Sequence, residues 1–306
     1  AYNIPNAPLI AALMRSLEET DGVVHFDATA ANIREADQRV ELELNDGTHL
    51  SAPFIVGADG RRSRVRKAAG IGAQTWRYPQ AALVTTFSHK LSHENASTEF
   101  HTEHGPFTQV PLPGRRSSLV WVMEPKDADI LMMLGLDILS ERIEERMQSM
   151  LGAVEAEEAP QRFPLSGLIA HRYGRGRIAL VGEAAHVFPP IGAQGLNLAL
   201  RDVLALSKAA DSIKEPRDVP GAVSAYNRAR RVDVVSRTAA VDMLNRSLLS
   251  SFLPLHLVRS AGLVAISEIT PLRSIFMREG MRPGDSIRAM RGLLDDRLRR
   301  ARDRAH

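Results

Sequence analysis

The chain has 306 residues, enough for two domains and a sizeable core. A hydrophobic share of 44% and a charged share of 25% are those of an ordinary folded protein, and the absence of Cys excludes disulfides, thiolate catalysis and zinc–sulfur sites. A net charge of only +3 gives nucleic acid no electrostatic advantage as a partner.

The opening residues, Asn3-Ile4-Pro5-Asn6-Ala7-Pro8, lack the charged-then-apolar pattern of a signal peptide. Leu9, Leu13, Met14 and Leu17 recur at helical spacing and predict a helix over 8–20. Strands are expected at Val23–Asp27 and Thr29–Arg34. The strict alternation Val40-Glu41-Leu42-Glu43-Leu44 predicts another, turned by Asn45-Asp46-Gly47 into a hairpin. Phe54–Ala58 reads as a short buried strand and Arg62–Ala69 as a helix. Ala82–Ser88, Thr98–Thr102, Thr108–Leu112 and Ser118–Met123 predict a second sheet. Helices at Asp127–Leu134 and Asp137–Leu151 are expected to pack on it.

Ile178-Ala179-Leu180-Val181 is an apolar run of strand type, followed by Gly182-Glu183-Ala184-Ala185-His186 and a loop with Pro190, Gly192 and Gly195. A helix is expected from Gln194 to Ile213, then a linker at Pro216–Pro220 and helices from Ala222 onward, broken at Pro254. No apolar run spans a bilayer. Leu248–Ile269 is interrupted by Pro254, His256, Arg259 and Glu268. Arg288, Arg291, Arg297, Arg299, Arg300, Arg302 and Arg304 crowd the far end, either as a solvated helix or as a contact for acidic lipid.

Two segments carry the functional reading. A strand, a Gly-bearing loop and a helix start form a cofactor cradle, because Gly lets backbone approach a ligand and the free first-turn N–H groups attract negative charge. The segment 181–198 has that order. In Ile55-Val56-Gly57-Ala58-Asp59-Gly60-Arg61-Arg62-Ser63-Arg64-Val65-Arg66, a strand again ends in an acid and a Gly. Taken alone, Asp59 reads as a helix cap. His186 reads as a packed residue that fixes its loop. His89, His93, His101 and His104 lack the spacing of a metal site, so no metal is expected. Trp76 and Trp121 read as core.

Together these segments resemble the two flavin signatures of the flavin-dependent aromatic hydroxylases, and most closely the ubiquinone-biosynthesis hydroxylases. Gly105-Pro106, Pro111-Leu112-Pro113, Ser117–Trp121, Leu198-Ala199-Leu200-Arg201-Asp202-Val203 and Ile269–Arg273 support the likeness, which runs from about Tyr2 to Arg278. The resemblance implies an α/β fold: an incomplete Rossmann-like FAD domain, an inserted antiparallel β-sheet substrate domain and C-terminal helices. The expected boundaries are 1–72 and 166–215 for the FAD domain, 73–165 for the sheet and 216–306 for the helices.

The residues that the resemblance places against cofactor are Asp59, Gly60, Ser63, Arg66, Gly182, Glu183, Pro190, Gly192, Ala193, Gln194, Gly195, Leu196 and Asn197. Glu183 stands where the family has Asp, and Gly192-Ala193 where it has Ala-Gly. No Gly-x-Gly-x-x-Gly precedes the first signature, so the chain is expected to be part of a longer protein and to lack the pyrophosphate loop of its FAD site. The implied activity is aromatic hydroxylation in ubiquinone biosynthesis, with NAD(P)H as reductant. The expected partner is an aromatic substrate with or without a polyprenyl tail, in the cytoplasm or at a membrane surface, in a homo-oligomer or a biosynthetic complex. A hydroxylase of a small soluble aromatic and a non-catalytic scaffold are the alternatives. No side chain is identifiable as an obligatory acid or base.

Overall fold

The computed structural model describes residues 3–102, 105–189, 194–231 and 234. The apolar 248–269 stretch, the terminal arginines and most of the expected C-terminal helices lie outside the described residues.

Helix α1 (Asn6–Glu18) leads into a three-stranded antiparallel sheet of β1 (Ala30–Glu35), β2 (Val40–Leu44) and β3 (His49–Ala52). The alternation in β2 buries Val40 and Leu44. The strand expected at Val23–Asp27 does not form; these residues pair with no described strand, and Val24 is exposed. Strand propensity alone does not make a strand, because the ladder needs a neighbour.

β4 (Ile55–Gly57) is followed by the one-turn helix α2 (Arg64–Ala68). After a long excursion the chain returns as the hairpin β11 (Gly174–Arg175) and β12 (Ile178–Leu180). β12 pairs in parallel with β4, Ile178 opposite Ile55 and Leu180 opposite Gly57. This is the parallel pair of the described three-stranded sheet β11-β12-β4. Its core holds Val65, Ile71, Tyr173, Ile178, Leu180, Leu198 and Tyr226. Arg177 is buried beside it. Its guanidinium donates to the carbonyls of Asp37 (3.3 Å), Pro53 (3.2 Å) and Pro216 (2.6 Å), so the buried charge is spread over three backbone acceptors.

The excursion supplies six strands of a seven-stranded antiparallel sheet, and a short strand after β12 supplies the seventh. β5 (Ala73–His89) is its spine, flanked by β8 (Arg116–Met123), β7 (Gly105–Leu112) and β6 (Thr98–Thr102) on one side. On the other side lie β10 (Gln161–Ala170) and β13 (His186–Val187), and β9 (Val154–Ala156) also pairs with β5. The spine begins nine residues earlier than the expected Ala82 start, and β9 and β10 were not expected. β10 passes through the expected boundary at 165/166, so the sheet continues into the return segment. Helices α3 (Pro125–Met132) and α4 (Leu136–Arg146) cover one face, where Phe87, Phe107, Leu119, Leu139 and Ile143 are all fully buried.

Beyond β12 come a 3-10 turn at Gly182–Ala184, β13 and helix α5 (Gln194–Ala210). The linker expected at 216–220 contains a 3-10 turn, Pro216–Asp218, and α6 follows at 219–231. No described helix is long and apolar enough to cross a membrane.

Candidate functional site

Both signatures sit at the C-terminal ends of the parallel pair. Asp59-Gly60 follows β4, Gly182-Glu183 follows β12, and Val181 N donates to Gly57 O at 2.9 Å just before the strands part. In open parallel sheets this edge is where ligands bind, because loops there diverge and helices point their N-termini at the gap.

The first signature is built by capping. One carboxylate oxygen of Asp59 accepts from Arg64 N (2.6 Å) and Val65 N (3.1 Å), and Ser63 Oγ accepts from Arg66 N (2.8 Å). Together they satisfy orphan donors of α2 that water would otherwise take. Gly60 has φ +75°, and a Cβ there would meet open space, so the backbone conformation rather than crowding requires glycine.

Arg66 joins the two signatures. Its guanidinium donates to Ala184 O at 2.6 Å and to Arg61 O at 2.8 Å. Arg61 reaches in turn to Ser166 Oγ on β10 at 2.7 Å. Both arginines therefore act on the protein's own groups and tie the β4 loop to the β12 loop and to the sheet.

The second signature opens on a cavity of about 280 Å³ lined by Glu183, His186, Val187, Phe188, Gly195, Leu196 and Ala199. Glu183 is exposed at its edge. Gly195 lies in the first turn of α5, where a Cβ would meet nothing within 4 Å. The first-turn N–H groups of a helix have no intrahelical acceptor and carry partial positive charge, so this mouth suits an electron-rich or anionic group. Phe188 stacks on the His186 ring at 5.2 Å between centroids.

Behind the cavity lies a buried network that the sequence reading missed. Asp202, on α5, is fully buried. It accepts from Gly182 N (2.8 Å), from His186 Nε2 (2.7 Å) and from Arg230 Nε (2.7 Å). His186 is thus the loop-fixing residue expected of it. Asp202 appeared in the sequence only within a supporting motif. The available signal was an acid at a core position of an amphipathic helix, four residues after Leu198 and three before Ala205.

The structure therefore brings Glu183, Gly195 and Leu196 together at one mouth, sets Gly182 behind it on Asp202, and links Asp59, Ser63 and Arg66 to it through backbone. Asn197 is exposed in the first turn of α5, and Gln194 opens that helix. Pro190, Gly192 and Ala193 lie outside the described residues. A larger cavity of about 530 Å³, between β8 and the helices α3 and α4, contains no signature residue. Among the described residues no group of side chains could hold a metal ion. His89 instead bonds Leu91 O (2.8 Å) and Ser117 Oγ (3.0 Å).

Comparison with known proteins places the family and the fold. The ubiquinone hydroxylase UbiL of Rhodospirillum rubrum is 37% identical over 245 residues, covering 79% of this chain and 57% of that protein. The 3-demethoxyubiquinol 3-hydroxylase of Escherichia coli is 31% identical over 268 residues, covering 86% and 68%. The p-nitrophenol 4-monooxygenase PnpA of Pseudomonas putida shares the fold with a TM-score of 0.75 at 18% identity, covering 92% and 73%. The chain thus spans just over half the length of its UbiL relative. A family model described as an FAD binding domain matches residues 1–238, and the chain belongs to that FAD-binding family.

Proposed function

We propose that the chain belongs to an FAD- and NAD(P)H-dependent monooxygenase that hydroxylates an aromatic, polyprenylated intermediate of ubiquinone synthesis. The observation that carries the reading is the meeting of both signatures at the C-terminal edge of β4 and β12, with the N-terminus of α5 facing the same mouth. The residues present fit a flavin: Gly60 and Gly195 leave space where a side chain would stand, and Glu183 offers a carboxylate at the rim. When bound, the flavin accepts a hydride from NAD(P)H and activates dioxygen, and this hard chemistry belongs to the cofactor.

The protein's part is placement. Glu183 would hold a polar edge of the cofactor. The first-turn amides of α5 would stabilise negative charge on its ring, as a fixed dipole that needs no reorganisation. Asp59, Ser63 and Arg66 shape the loops rather than react. The aromatic substrate would lie on the face of the seven-stranded sheet opposite α3 and α4, where Val84, Thr86, Ser118 and Val120 are half-buried. The names of the R. rubrum and E. coli relatives support the quinone-type substrate.

The test is FAD binding by flavin fluorescence, for this chain and for a form extended upstream. The expected result is tight binding by the extended form. Its oxidation of NAD(P)H should be stimulated by a prenylated phenol, with one atom of isotope-labelled dioxygen in the product. Retention of no flavin by either form would overturn the reading in favour of a scaffold. Turnover of small phenols alone would replace the substrate.

A further inference from the structure

α5 turns an apolar stripe to the core, formed by Leu198, Ala205, Leu206 and Ala209, and one carboxylate interrupts it. A buried carboxylate is tolerated only when its lone pairs are met by donors. The donors to Asp202 come from three separate elements. Gly182 N belongs to the turn after β12, His186 Nε2 to β13, and Arg230 Nε to α6. Two of the three lie in the second signature itself. Gly182 has φ +58°, so the turn is held in a conformation that its own sequence only permits, and its amide is aimed at a single oxygen.

We propose that Asp202 is the positioning residue of the cofactor mouth. It locks the 182–184 turn and the His186 ring to α5, so that Glu183 and the α5 N-terminus face one cavity in a fixed relation. Arg230 balances the buried charge and keeps Asp202 an acceptor at both oxygens. The residue type matters here because a carboxylate offers acceptors to all three donors, whereas an amide of the same shape would point N–H groups at a donor. The proposal rests on the flavin reading for its function and on the network alone for its geometry.

The discriminating variant is Asp202→Asn, which keeps the shape and removes acceptors. The control is Leu139→Ala, which opens a void in the buried cluster under α4 and touches no signature residue. Two readouts separate the claims. Amide exchange across residues 181–187, in protein without flavin, reads the locking of the turn. FAD affinity and the midpoint potential of the bound flavin read its consequence. Asp202→Asn is expected to speed exchange at Gly182 and to weaken FAD binding by about tenfold or more with a shifted potential. Leu139→Ala is expected to lower the melting temperature and leave both readouts unchanged. Unchanged exchange in a folded Asp202→Asn variant would overturn the proposal whatever the flavin does. Faster exchange with unaltered FAD affinity and potential, in a protein whose wild type binds FAD, would also overturn it, since Asp202 would then be a packing residue only. A wild type that binds no FAD would overturn the flavin reading, and with it the functional half of this one. The exchange result would still decide the geometry.

Discussion

At the scale of single residues, the site depends on which atoms face outward. Arg66 and Asp59 look like cofactor ligands in the sequence, and in the structure they also bond backbone: Ala184 O and Arg61 O for the guanidinium, Arg64 N and Val65 N for the carboxylate. Glu183 has the opposite character, exposed at the rim of the 280 Å³ cavity. Substitution of Glu183 should therefore affect ligand and not stability. Glu183→Ala is expected to weaken FAD binding by about tenfold, the loss of one charge-assisted hydrogen bond, with the melting temperature unchanged. Glu183→Asp, which restores the family's residue and keeps the acceptor, should stay within about threefold of wild type. Fluorescence quenching titrations check both, and a large fall in melting temperature for Glu183→Ala would show that the side chain supports the fold instead. The signature residues could be found from the sequence because each lies in a short contiguous motif. For Asp202 the sequence shows only an acid on the core stripe of a helix, and nothing local marks the meeting of its donors Gly182, His186 and Arg230.

At the scale of elements, the reading succeeded where hydrophobic period and turn residues agreed. α1, β2, β4, β8 and α5 all fall close to their expected places. β10 was hidden by Pro164 and Gly167, residues that argue against a central strand. The sheet accommodates them with a break in register between Pro164 and Ser166. Gly167 has a different reason to be there. It lies opposite Trp76 on β5, and a Cβ at Gly167 would come within 2.1 Å of Trp76 Cε2. The indole lies where a side chain would stand. Gly167→Val is expected to displace Trp76 and cost about 1–3 kcal/mol, read as a lower urea midpoint with altered Trp fluorescence. An unchanged midpoint would mean that β10 shifts freely against β5. The strand expected at Val23–Asp27 teaches the converse, since a good pattern without a described neighbour stays irregular.

At the scale of the whole molecule, the fold class and the pairing of two distant signatures were legible because each signature carries its own strand. That β4 and β12 are adjacent and parallel was not, since register between segments so far apart is a tertiary fact. Stability at high pH follows from the same core. Tyr226 donates to Leu180 O at 2.7 Å, and burial, with the nearby charge of Asp202, pushes its phenol well above its ordinary value of 10.0. The unfolded chain releases that proton near pH 10 while the folded chain keeps it. Stability is thus full below about pH 10 and falls as pH rises beyond it. Tyr226→Phe should destabilise the protein by about 1–3 kcal/mol at neutral pH, by leaving a buried carbonyl unpaired, and should flatten the alkaline decline. Thermal unfolding from pH 7 to 11 tests this. An equally steep decline in the variant would assign it to other groups.

One pairing has a further consequence. Ala73, the first residue of the spine β5, stands directly across from Ala170, the last of β10. Strands β5 to β10 and their helices are thus entered and left through a single doorway, one residue pair wide, while β13 joins the sheet from outside it. Changes of length far beyond that doorway leave the pairing of β4 with β12, where the signatures meet, in place. The sheet is in this sense a cassette, and new substrates can be accommodated on it while the edge at β4 and β12 stays as it is.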